Sequence, residues 1–123
     1  AGSVLAVEFD PRACADAARN TADLPHVRIR TASVDVAELD RAGRPDLVVL
    51  DPPRAGAGLA VTHALAAMRP RRLVYVACDP ASFARDLAVL LDVGWELSSL
   101  HAYDIFPMTE HVETVAVLTP PAF

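Results

Sequence analysis

The sequence has no lysine: its eleven cations are all arginines, set against sixteen acids for a net charge of −5. No block of basic residues forms a stripe, which argues against this segment gripping nucleic acid by itself. Cysteine is scarce too, with Cys14 and Cys78 alone. Two are too few for a disulfide framework, and neither stands at metal-ligand spacing, so a reduced, cytoplasmic setting and no metal are expected. No apolar run reaches the roughly 18 residues of a membrane span. The N-terminus, Ala1-Gly2-Ser3-Val4-Leu5, has neither a starting Met nor the regions of a secretory signal, and it reads as an internal start of something longer.

What is present is enough for one domain of 123 residues, with 53% hydrophobic and 22% charged residues as in a soluble globular chain. Its organising stretch is Val74-Tyr75-Val76-Ala77-Cys78-Asp79-Pro80, a β-branched and aromatic strand followed at once by a helix cap and first turn. Cys78 therefore falls between a strand end and a helix N-terminus. The helix dipole and free N–H groups there favour a thiolate. Cys14, in an Ala-rich helical run, reads as core.

Strands are expected at Val4 to Phe9, Val27 to Arg30, Asp46 to Leu50, Leu73 to Ala77, Trp95 to Tyr103 and Val112 to Leu118. Helices are expected to follow Pro11, Val36, Leu59 and Pro80. The run Leu47-Val48-Val49-Leu50 reads as a strand covered on both faces. The last helix shows Phe83, Leu87 and Leu91 on one face, with Gly94 placed to stop it. The alternation predicts an α/β fold, a mostly parallel sheet with helices on both faces. Only the final strand, after a connection too short for a helical crossover, should run antiparallel.

Ligands of open parallel sheets bind beyond the carboxyl ends of the strands. Glu8, Asp51 and Cys78 lie at or near such ends, and Glu113 lies near the beginning of the antiparallel strand. Four polar or reactive side chains are thereby expected along one rim.

Three motifs carry a resemblance. Asp51-Pro52-Pro53-Arg54-Ala55-Gly56, then Tyr75-Val76-Ala77-Cys78-Asp79-Pro80 with Ala84-Arg85-Asp86, then Asp104-Ile105-Phe106-Pro107-Met108-Thr109 with His111-Val112-Glu113, resemble in order and spacing the tRNA and ribosomal RNA uracil-5-methyltransferases. The resemblance covers essentially the whole chain. It implies a Rossmann-like class I methyltransferase sheet, S-adenosylmethionine as methyl donor, and C5 of a uridine in tRNA or rRNA as acceptor. It implies Cys78 as the nucleophile that adds to C6 and Glu113 as the base that takes the C5 proton. Glu8 resembles the acid that binds the cofactor ribose and Asp51 the residue between the cofactor's methionine end and the target base, while Ser33 stands where relatives often place Asp or Asn near the adenine. The target nucleotide must be unstacked to reach the thiol.

Some positions depart from the pattern. Asp79 stands where many relatives have Asn; either caps a helix, but a carboxylate beside Cys78 disfavours the thiolate. The family's first strand and glycine-rich loop, its N-terminal RNA-binding domain and the iron-sulfur cysteines of some members have no counterpart in these residues. The chain is thus expected to be the C-terminal portion of the catalytic domain, with RNA bound mainly elsewhere and the missing strand belonging between Val4–Glu8 and Asp46–Leu50. Two rival readings are a methyltransferase acting on another base or atom without covalent catalysis, and a non-catalytic interaction module that dimerises through exposed sheet edges.

Overall fold

The computed structural model describes residues 2–122, which divide into two compact units, one up to Ala42 and one from Gly43 onward. The first unit runs β1 (Val4–Glu8), α1 (Pro11–Asn20), β2 (Val27–Thr31) and α2 (Val36–Ala42). β1 and β2 pair in parallel from Val4 against Val27 to Glu8 against Thr31. The entry to α1 follows from its sequence: the Asp10 carboxylate accepts the Arg12 N–H at 2.8 Å, and Pro11 fills the first turn, where no N–H is needed. Cys14 is buried and its thiol donates to the Glu8 carbonyl at 3.2 Å, so it is a core residue. Buried Glu38 accepts from Arg30 at 2.5 Å, with Arg41 at 3.5 Å.

The second unit contains β3 (Leu47–Leu50), α3 (Leu59–Met68), β4 (Arg72–Ala77), α4 (Pro80–Asp92), β5 (Glu96–Tyr103) and β6 (Glu113–Thr119). Its sheet has the order β3-β4-β6-β5. β3 and β4 are parallel, and β6 lies between β4 and β5, antiparallel to both. The last strand is therefore the reversed one, as chain connectivity requires. β1 and β3, between which the sequence reading places a further strand, belong to separate sheets.

The core of this unit is built on one face of that sheet. Leu73, Tyr75 and Ala77 of β4 and Ala116 and Leu118 of β6 meet Ala66 of α3, Phe83 and Leu90 of α4, and Trp95. Alternation along β3 sends Val48 and Leu50 to that core and leaves Leu47 and Val49 54% and 64% exposed. This corrects two expectations. β3 is not covered on both faces, because α3 and α4 pack on the same side of the sheet. The buried stripe of α4 is Phe83, Asp86 and Leu90; Leu91 is exposed, since a step of four from Leu87 carries it past the sheet-facing line. Gly94, at φ +89°, follows α4 as expected of a helix stop.

Candidate active site

Three of the predicted residues share the carboxyl edge of the four-stranded sheet. Asp51 follows the last residue of β3, and Cys78 follows the last residue of β4. In the β4–β6 ladder Val76 faces Val115 and Ala77 faces Thr114; continued by one step, that register sets Cys78 against Glu113. Directly opposed residues of an antiparallel pair project to the same side. The thiol and the carboxylate thus flank the last pair of the ladder, Ala77 and Thr114, from positions 35 apart in sequence. Cys78 and Glu113 are both partly buried, while Asp51 is exposed.

The remaining two predicted residues lie in the other unit. Glu8 ends β1, and Ser33 follows β2, so both stand at the carboxyl end of that parallel pair. The Glu8 Oε1 accepts the Asp10 N–H at 2.9 Å. Three of the four expected rim residues thus share one sheet edge, and Glu8 belongs to a separate two-stranded sheet.

Cys78 stands two residues ahead of Pro80, the first residue of α4. Asp79 is the N-cap, accepting the Ser82 N–H at 2.8 Å. Hydrogen bonds from the Ser82 N–H and hydroxyl hold the Asp79 carboxyl below its usual range, so it is ionised beside the thiol. The cap and the helix dipole act on Cys78 in opposite senses.

The segment after β3 is the part of the site that the motifs did not explain. The Gly56 N–H closes a turn onto the Pro53 carbonyl at 2.8 Å. From there the Arg54 guanidinium reaches His111 Nε2 at 3.2 Å, joining this segment to the one that leads into Glu113. Beneath it lie Tyr75 and Asp86, the latter with no exposed surface. Sequence reasoning placed Tyr75, Arg85 and Asp86 in a motif and gave none of the three a task. The available signal was a charged residue, Asp86, on the apolar face that Phe83 and Leu87 define. Burial raises the Asp86 carboxyl, but hydrogen bonds from Tyr75, Arg85 and the Ala57 N–H outweigh it and hold the group below its usual value. Burial, followed by the bond to Asp86, raises the Tyr75 hydroxyl well above its usual value. The pair is therefore a neutral phenol donating to a carboxylate, at 2.6 Å.

The family model described as tRNA (Uracil-5-)-methyltransferase matches residues 28–120. The chain belongs to this family. An uncharacterized RNA methyltransferase of Streptomyces avermitilis is 49% identical over 98% of this chain and 28% of its own length. Another, from Halalkalibacterium halodurans, is 40% identical over 94% of this chain and 26% of its own. Among solved structures, the Pyrococcus abyssi tRNA (uracil-54, C5)-methyltransferase in complex with S-adenosyl-L-homocysteine superposes with a TM-score of 0.79 at 33% identity, over 95% of this chain and 29% of that one. The N-methyltransferase NodS of Bradyrhizobium japonicum, at 15% identity and TM-score 0.74, over 98% of this chain and 67% of that one, shares the fold. The fold is that of the Rossmann-like class I methyltransferases, and the chain spans little more than a quarter of the RNA methyltransferases it matches.

Proposed function

We propose that this chain is the thiol- and base-bearing part of an S-adenosylmethionine-dependent enzyme that forms 5-methyluridine in tRNA or rRNA. The observation that carries the reading is the β4–β6 register, whose last pair, Ala77 and Thr114, lies one residue short of Cys78 and Glu113 at the N-terminus of α4. Family membership and the Pyrococcus abyssi neighbour support it.

C5 of uracil is a poor nucleophile until a second nucleophile adds at C6. The Cys78 thiolate forms the C6–S bond, and the ring electrons move onto O4, which leaves C5 carbon nucleophilic. Bound S-adenosylmethionine supplies the electrophilic methyl group. With the methyl on C5, the Glu113 carboxylate takes the C5 proton, the C6–S bond breaks, and Cys78 leaves as a thiolate.

Taken one by one, the assigned side chains have the chemistry that this cofactor needs. Glu8 at the end of β1 offers carboxylate oxygens to the ribose hydroxyls, exposed Asp51 offers an acceptor to the methionine ammonium, and exposed Ser33 offers a hydroxyl towards the adenine. The net charge of −5 supports assigning the main grip on RNA to other parts of a protein of the relatives' length, in a cytoplasmic setting.

RNA containing 5-fluorouridine tests the scheme, since fluorine at C5 cannot be removed as a proton and the C6–S adduct should persist on a denaturing gel. Cys78→Ala should abolish both the adduct and 5-methyluridine, whereas Glu113→Gln should form the adduct yet lower turnover at least about 100-fold. Methyl transfer retained by Cys78→Ala would favour a non-covalent methyltransferase. A second reading, self-association, draws on the open edge of β3 and its exposed Leu47 and Val49. Sedimentation should then show mass rising with concentration, and Val49→Lys should suppress the rise.

A further inference from the structure

Nothing in the covalent scheme uses Asp86, yet it is the most heavily engaged side chain in the molecule's second unit. A carboxylate removed from water is costly unless donors surround it, and an apolar residue would pack as well on that face of α4. Its bonds are directional. Oδ2 accepts the Ala57 N–H at 2.7 Å, the Tyr75 hydroxyl at 2.6 Å and the Gly58 N–H at 3.4 Å. Oδ1 accepts Arg85 Nη2 at 2.8 Å and Nε at 3.1 Å.

The neighbours of Asp86 on α4 complete the hold. Arg85 Nη2 also donates to the Ala55 carbonyl at 2.8 Å, and the Ser82 hydroxyl donates to the Arg54 carbonyl at 2.7 Å. The backbone of Arg54, Ala55, Ala57 and Gly58 is therefore tied to one helix. Between them Gly56, at φ +79°, would bring an added Cβ within 2.6 Å of Asp86 Oδ2, so the loop closes on the carboxylate with no room for a side chain. Anchored in this way, Arg54 reaches His111. A guanidinium only donates, so His111 Nε2 accepts and its proton resides on Nδ1.

We propose that Asp86 is a positioning residue, which holds the 54–58 loop on α4 so that Arg54 fixes His111 and, two residues on, Glu113. The catalytic consequence rests on the reading of Glu113 as the base; the mechanical link does not. Asn at position 86 keeps the shape but replaces one acceptor oxygen with a donor, which opposes donors already in place.

The test is nitrogen-15 NMR of the full chain in five forms: wild type, Asp86→Asn, Arg54→Ala, the double variant and Tyr75→Phe. In Asp86→Asn the His111 Nε2 resonance should move to its position in Arg54→Ala, with no further movement in the double variant. Exchange of the Ala57 amide should accelerate at least about tenfold while β4 and β6 amides keep their protection. A His111 resonance left at the wild-type position, or displacements that add in the double variant, would overturn the link. If Asp86→Asn fails to fold, Tyr75→Phe decides: a shift of His111 in the same direction upholds the link, and none refutes it. In a methyl-transfer assay of a protein of the relatives' full length, Asp86→Asn should lower kcat at least about tenfold with the KM for S-adenosylmethionine unchanged. An unchanged kcat would refute the positioning role. A wild-type protein of that length that transfers no methyl group would instead sink the methyltransferase reading and leave the NMR result standing.

Discussion

Asp86 and Tyr75 show how a polar pair survives in an apolar layer, and each sets a limit on the pH range of the clamp. Asp86 has a folded pKa below its usual 3.8, so it contributes stability that is present above that value and lost as pH falls through the lower folded value. Tyr75 is raised above 10.0, so its contribution is complete below pH 10 and is lost only at still higher pH. Denaturant titrations should therefore give Asp86→Asn a deficit that is constant from about pH 5 to pH 9 and shrinks below pH 3.8, where wild type loses its own carboxylate. Gly56→Ala should destabilise the chain by about 1–3 kcal/mol, since the methyl meets Asp86 and the backbone is left-handed there. Asp79→Asn keeps the cap and removes the charge beside the thiol. Alkylation of Cys78, measured at one fixed neutral pH in a Cys14→Ser background, should then be faster than with Asp79.

At the scale of elements, α4 has two duties that its sequence displays unequally. Asp79-Pro80 announces the helix and places its N-terminus after Cys78, and both features are local. The second duty, holding the loop after β3, uses Ser82, Arg85 and Asp86, whose partners lie 28 to 30 residues away. Strand β4 likewise alternates, with Leu73, Tyr75 and Ala77 buried against α3 and α4. Leu73→Ala should cost about 2–5 kcal/mol in chemical denaturation, because the residue is fully enclosed and its neighbours on β3 and β6 fix the cavity walls. The same truncation at Val49, on the exposed face of β3, should change stability by no more than about 0.5 kcal/mol.

For the whole molecule, burial is unevenly shared. Cys14 and Glu38 are the fully buried residues described in the first unit, whereas the second contains the cluster from Ala66 to Leu118. Hydrogen exchange should accordingly find its slowest amides in β4 and β6, with β1 and β2 exchanging faster. Uniform protection of both units would contradict this ordering. Calorimetric titration of the chain with S-adenosylhomocysteine measures how much of the cofactor's affinity Glu8, Ser33 and Asp51 supply; heat lost in both Glu8→Ala and Asp51→Ala is the result expected of the proposed assignments.

The sequence by itself determined the element order, the caps at Asp10 and Asp79, the reversed last strand, and the positions of Cys78 after one strand and Glu113 at the start of another. Each of these follows from local chemistry or from the length of a connection: Asp-Pro starts a helix, and eight residues are too few to cross a sheet. Tertiary structure alone decided that β3 would bury one face instead of two, that Glu8 would belong to a separate sheet, and that Asp86 would grip the loop carrying Arg54. An apolar strand looks the same whether one or two layers cover it, and a carboxylate on a helix does not reveal its donors. Those outcomes depend on which distant backbone N–H groups the packed sheet brings within 3 Å.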